Sequence, residues 1–312
     1  MALRVALLVV AALLAAGSTG SAARAPAHPV RCGSSKSFAA AAPSRRVPRL
    51  ARIAVIVMEN KDCRDVIGSP QAPYENALAR RYAFPSRYFA LTKPSLPNYL
   101  GLTGGSTFGV TTDCTDCSVA GASLVDQLER AGISWKAYMQ AMPGPCYLGA
   151  DTGLYAKRHN PFVYYDAVAS NASRCADVVP FEDLSRDLIR RSLPRFVWIS
   201  PDLCNDTHDC GIATGDRFLK RLVPSLLHVL GPHGFLVLTY DEGDSDRGCC
   251  GGKATGSNVP TIVAGPAARL GARSGLAYDH YSILRTIEDA FGLPRMRGAG
   301  CPCTRSLAAL LR

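Results

Sequence analysis

The chain has 312 residues, 47% of them hydrophobic, a formal charge of +10 and twelve cysteines. That length is enough for one large domain with a sizeable core. The charge does not read as nucleic-acid binding, because the basic residues are spread along the chain without aromatic-basic interleaving; a basic surface also suits anionic substrates such as small phosphate esters or acidic lipid headgroups.

Residues 1–25, "MALRVALLVVAALLAAGSTGSAARA", place Arg4 before an apolar run from Val5 to Ala16, then small residues with cleavage options after Ala23 or Ala25. This reads as a secretory signal peptide, too short in its apolar part to span a bilayer. No other stretch is long and apolar enough, so the expectation is an exported, soluble protein with no stable membrane insertion after cleavage. Residues 26–50, rich in Pro, Ala, Ser and Arg, read as a flexible leader. Residues 51–312 read as a single domain. An even cysteine count in an exported chain predicts disulfides, with connectivity open. Cys114-x-x-Cys117 has half of a zinc-binding spacing, but no second such pair accompanies it.

Four short runs rich in Val, Ile and aromatics predict buried strands: "RIAVIVM" (52–58), "RFVWIS" (195–200), "GFLVLTY" (234–240) and "VPTIVAG" (259–265). Helical patterns lie at 121–132, at 215–231 with Pro224 as a kink, and at 281–292. Strands alternating with helices predict an α/β fold, a largely parallel central sheet with helices on both faces. Chemistry in such folds gathers beyond the carboxyl ends of the strands.

Polar and acidic residues follow three of these strands: Glu59 and Asn60, then Asp202, Asn205, Asp206, His208 and Asp209, then Asp241 and Glu242. Carboxylates converging in a partly desolvated place need a counter-charge, and a hard divalent cation with oxygen ligands supplies it. Ser95 lies between Pro94 and Pro97, with Asn98 and the Gly104-Gly105 pair behind it. It is either a tight turn or a nucleophile aimed in one direction. Lys157, Arg158 and His159 form a basic cluster suited to a phosphate or headgroup, or a solvated basic loop.

The order "ENK…PSLPNYL…NDTHD…TYDEGD…DHYSILRTIEDAFGLP" resembles the bacterial phosphoesterase family of the alkaline phosphatase superfamily, which includes secreted acid phosphatases and phospholipases C. It looks most like the short secreted acid phosphatases of mycobacterial type, and the likeness runs from about residue 52 to 295. The resemblance implies an alkaline-phosphatase-like fold. It also implies a site read in chain order as Glu59/Asn60, Ser95, Asp206/His208, Asp241/Glu242 and His280. Relatives often carry E-N-x-S where this chain has Asp62, and H-P-S where it has Lys93. Lys93 puts a fixed positive charge beside the nucleophile and bears on substrate preference. The full histidine complement of a second metal site is missing.

The chemistry that follows is phosphoryl transfer. Glu59, Asn60, Asp241, Glu242 and the Ser95 hydroxyl would hold a divalent ion, one site with a second conceivable. Asn98 would donate to a phosphoryl oxygen, and Asp206, His208 and His280 would serve proton transfer or a second metal. Lys93, Lys157, Arg158 and His159 would contact the substrate. The expectation is a metal-dependent phosphomonoesterase acting through phosphoserine, the alternative a phosphodiesterase of phospholipase C type. A catalytically dead binding protein conflicts with intact Ser95, Asp241 and Glu242, and a serine esterase conflicts with the lack of a G-x-S-x-G elbow.

Overall fold

The computed structural model describes residues 30, 32, 46–49, 52–245 and 256–312. The signal-like residues 1–25, most of the leader and the Cys249-Cys250 pair lie outside the described residues. At the centre is β1 (Ile53–Met58), all six residues of which are buried. It pairs in parallel with β5 (Phe196–Ser200) on one side and β6 (Phe235–Tyr240) on the other. With β3 (Trp135–Met139), β4 (Val178–Pro180) and β7 (Thr261–Ala264) these make a six-stranded sheet in the order β4-β3-β5-β1-β6-β7. β7 alone of these runs antiparallel, to β6. Continuous burial along β1 is the mark of a strand covered on both faces, which is why its sequence does not alternate.

The helices pack in two sets, Pro73–Arg81 and Glu182–Arg190 against Ile212–Val229, and Ser95–Gly104 against His280–Phe291. A separate parallel pair joins β2 (Phe84–Phe89) to β8 (Arg273–Asp279). β8 leads directly into the His280–Phe291 helix, capped by the Asp279 carboxylate on the Ser282 amide.

Ser95 does not sit in a turn. It opens a ten-residue helix, every residue of which is buried. The prolines permit this, because Pro97 lies in the first turn, where its missing N–H has no intrahelical partner to lose. Of the Gly104-Gly105 pair that suggested a turn, Gly105 ends this helix in left-handed backbone at φ 71°, while Gly104 serves close packing: a Cβ there would lie 2.6 Å from the Tyr165 hydroxyl oxygen, and one on Gly101 would run into Leu91.

Four disulfides join described residues, Cys32–Cys63, Cys114–Cys117, Cys146–Cys175 and Cys204–Cys210. The Cys114–Cys117 spacing is thus a disulfide and not half of a zinc site. The first bond ties the leader to the domain, and Val30, Cys32 and Val47 pack against the core, so these parts of the leader are held. No helix among the described residues is long and apolar enough to cross a membrane.

Candidate active site

The carboxyl ends of β1, β5 and β6 are adjacent, and backbone hydrogen bonds lock the turns that leave them. The Glu59 amide donates to the Asp206 carbonyl at 2.9 Å, and the Asp241 amide donates to Met58 at 2.9 Å. Two of these turns use left-handed backbone: Asn60 has φ 53°, which asparagine tolerates, and Thr207 has φ 83°, which a β-branched residue resists. The Thr207 hydroxyl donates to the Glu59 carbonyl at 2.7 Å, and Lys61 Nζ donates to the carbonyls of both Asn60 and Thr207 at 2.9 Å. Strained turns held by such cross-links keep the side chains at the strand ends in one arrangement.

Those side chains converge. Ser95 Oγ donates to Glu59 Oε2 at 3.3 Å, and the Tyr99 hydroxyl, one helical turn on, donates to Glu59 Oε1 at 2.8 Å. His159 is buried between two acids, its Nε2 3.0 Å from Glu59 Oε1 and its Nδ1 3.2 Å from Asp206 Oδ2. Its ring stacks on Tyr99 with centroids 5.3 Å apart. Asp241 Oδ1 accepts the Asn60 amide at 3.4 Å, and Glu242 lies beside Asn98.

The electrostatics are those of a buried acidic cluster that a cation would suit. Burial raises the pKa of Glu59 well above the carboxylate range, and the nearby Asp241 and Asp206 raise it further. Burial likewise raises Asp206, Asp241 and Glu242. Burial, with the Arg158 charge, drives His159 down to about 3, so its ring is neutral and its nitrogens suit a metal. His159 Nε2, Asp206 Oδ2 and Asp241 Oδ2 are buried without a hydrogen-bonding partner. The two short His159 contacts are therefore close approaches that lack hydrogen-bond alignment. Orphaned buried donor atoms in an acidic cluster are costly unless a cation completes them. Among the described residues no three side chains stand in ready coordinating geometry, so the fit rests on the donor chemistry and the orphaned atoms.

Several expected roles change. His159, read as a substrate contact, sits instead in the acidic centre, and Asp206 joins the same cluster. His280 does not face the opening: the Tyr88 hydroxyl donates to Nδ1 at 3.0 Å, and Nε2 donates to the Asp241 carbonyl at 2.6 Å. Burial lowers its pKa to about 4, so it positions the Asp241 backbone and is no acid for the leaving group. Both amide hydrogens of Asn98 go to the carbonyls of Thr92 and Pro94, and its Oδ1 accepts the amides of Leu91 and Thr92. As placed, it fixes the loop that leads into Ser95, with Glu242 Oε2 a more distant third acceptor at 3.5 Å. Lys157 is buried with Nζ on the Thr115 carbonyl at 2.6 Å, and Lys93 donates to the Asp244 carbonyl at 2.8 Å. Both ammonium groups brace loops.

Arg158 and His208 line the mouth, with side chains 15% and 31% exposed. Arg158 donates to Asp151 at 2.8 Å and faces His208 Nε2 at 3.3 Å, while His208 Nδ1 is 2.7 Å from Asp209. Reading the sequence missed Tyr99, Lys61 and Thr207 as parts of the site. Only Tyr99 carried a signal, one helical turn from Ser95 in a segment that reads as a turn.

Three comparisons bear on this geometry. A family model described as the Phosphoesterase family matches residues 67–294. The chain is 31% identical to the phosphatidylinositol-3-phosphatase of Mycobacterium tuberculosis, over 80% of this chain and 79% of that one. It is 30% identical to a probable acid phosphatase of Kluyveromyces lactis, over 78% of this chain and 59% of that one. It is 24% identical to the hemolytic phospholipase C of Pseudomonas aeruginosa, over 71% of this chain and 39% of that one. Among solved structures, a protein of the alkaline phosphatase superfamily from Vibrio parahaemolyticus superposes with a TM-score of 0.55 at 11% identity, covering 83% of this chain and 72% of that one. Murine ectonucleotide pyrophosphatase/phosphodiesterase 5 gives 0.54 at 12% identity, covering 84% of this chain and 100% of that one. The fold is that of the alkaline phosphatase superfamily.

Proposed function

Because the chain belongs to the Phosphoesterase family and is a phosphoric ester hydrolase, we propose that it is an exported, metal-dependent phosphomonoesterase that works through a phosphoserine on Ser95. The observation that carries this reading is the Ser95 hydroxyl on Glu59, at the start of a buried helix and beside orphaned atoms of His159, Asp206 and Asp241. Glu59, His159, Asp206 and Asp241, with Glu242 and Asn60 adjoining, would hold a divalent cation, which would lower the pKa of the serine hydroxyl and offset charge on the phosphoryl oxygens.

The chain's own residues then divide the work. Ser95 Oγ forms a bond to phosphorus as the bond to the alcohol breaks, and its proton passes to Glu59 Oε2. The helix that begins at Ser95 presents its positive end to the phosphoryl group. His208, once protonated, gives its proton to the leaving oxygen, with Asp209 on Nδ1 stabilising the charged ring. Water next attacks phosphorus and yields a proton to His208, while the departing Ser95 oxygen recovers its proton from Glu59. Four disulfides support an oxidising compartment outside the cytoplasm.

Likeness to a phospholipase C keeps a diesterase as the second reading. One assay tests both: hydrolysis of 4-nitrophenyl phosphate, its bis-ester and a 4-nitrophenyl carboxylic ester, each with and without chelator. Monoester turnover that chelation stops is expected. Preferential bis-ester turnover would favour the diesterase, and carboxylic ester turnover would overturn both.

A further inference from the structure

Asp113 stands against the first turn of the Ser95 helix and beside Arg158. Its Oδ1 accepts the amide of Leu96, in the first turn of the Ser95 helix, at 2.9 Å. Pro97 offers no amide, so this carboxylate takes one of the few N–H groups that the helix start presents. Asp113 Oδ2 is also 3.8 Å from Nε of Arg158, the cation at the mouth. Asp113 therefore touches two anion-binding groups beside the nucleophile.

It is held there deliberately by its surroundings. The next residue opens the Cys114–Cys117 ring, whose carbonyls take the Tyr164 hydroxyl at 2.9 Å and Lys157 Nζ at 2.6 Å. Arg158 pairs with Asp113, and the Asp113 charge also acts on His159, Glu242 and Tyr164. Asp151 shares Arg158 and takes part of its charge.

Resting on the phosphatase reading, we propose that Asp113 is a specificity-determining residue that filters ligands by charge. Its fixed carboxylate disfavours a dianionic phosphoryl group more than a monoanionic one, because each negative charge on the ligand meets the same repulsion. Monoesters lose their second proton at a pH of about 6, so the filter favours the singly charged form present in acid.

The test is inorganic phosphate and bis(4-nitrophenyl) phosphate binding to the full chain, measured by calorimetry for the unaltered protein and Asp113→Asn. Asparagine keeps an acceptor for the Leu96 amide and removes the charge. The variant should bind phosphate about tenfold more tightly at pH 7.5, with a gain of about threefold for the monoanionic diester and for phosphate at pH 5. Asp113→Ser, with a thermal melt of each protein, guards against a folding defect, and either folded variant reads the effect. Equal or weaker phosphate binding by the folded variants, or equal gains for both charge states, overturns the filter. If the unaltered chain binds phosphate but hydrolyses no phosphate ester, the functional reading fails while the filter is still decided by these affinities.

Discussion

The Tyr99 hydroxyl donates to Glu59 Oε1 at 2.8 Å while its ring stacks on His159, so one aromatic side chain fixes both members of the acidic centre's closest pair. Tyr99 touches neither phosphate nor water in the proposed reaction; it is a positioning residue. Removing an orienting partner from a ligand typically costs about 10- to 100-fold in metal affinity. Tyr99→Phe keeps the stacked ring and should weaken metal binding by that factor, with KM for a monoester nearly unchanged at saturating metal. Metal titration followed by activity and by direct metal analysis checks it. Unchanged metal affinity would show that Glu59 and His159 hold their places without the hydroxyl.

Asp241 supplies the second test. Its Oδ2 is buried without a partner, which is tolerable if a cation sits there and costly otherwise. Asp241→Asn should lower bound metal and reduce kcat/KM by about 100- to 1000-fold, the range seen when a principal electrostatic group is lost. The far-UV circular dichroism should persist. Full activity after exhaustive chelation of the unaltered protein would defeat the metal assignment.

Much of this was legible in the sequence, and the exceptions share a cause. The strands at 52–58, 195–200, 234–240 and 259–265 read correctly because doubly covered strands are continuous apolar runs. β8 was hidden: it mixes Ser274, Gly275 and buried Tyr278 and Asp279, with only part of its length in the core. The Ser95 helix was hidden by Pro97, Gly101 and Gly104, each of which marks a turn by local preference. Here tertiary packing decides, since the helix is buried along its whole length. His159 was misplaced for a related reason. In sequence it belongs with Lys157 and Arg158, but the short 3-10 turn at Lys157–His159 sends the three side chains to different places: the Cys114–Cys117 ring, the mouth and the acidic centre.

Away from the site, Glu75 predicts how stability depends on pH. It is fully buried, accepts the Tyr240 hydroxyl, and has Asp216 beside its own amide. Burial raises its pKa from 4.5 to about 8. A carboxyl that holds its proton more tightly when folded supports the fold below its unfolded pKa. That support fades as the pH climbs from about 4.5 to about 8, by at most about 5 kcal/mol. Glu75→Gln retains an acceptor for Tyr240 and cannot ionise, so its melting temperature should fall less between pH 5 and pH 8. Parallel melting curves for the two proteins across that interval would refute the assignment.

Ser95→Ala is the decisive variant. If Ser95 forms a covalent ester, its loss should reduce turnover by on the order of 10⁴-fold or more, since no other nucleophile is in place. Thr103 cannot substitute, because its hydroxyl donates to the Tyr99 carbonyl at 2.8 Å deep in the helix. Thr92 turns its hydroxyl to the Lys93 carbonyl at 3.1 Å. Inorganic phosphate should still bind the variant, because Arg158 and the acidic side chains proposed to hold the cation remain. The covalent route also requires two displacements at phosphorus. An added acceptor alcohol should therefore yield its own phosphate ester, and a chiral phosphate should keep its configuration. Inversion, or substantial activity in Ser95→Ala, would mean that water attacks directly, leaving Ser95 as the first residue of a buried helix and a hydrogen-bond partner of Glu59.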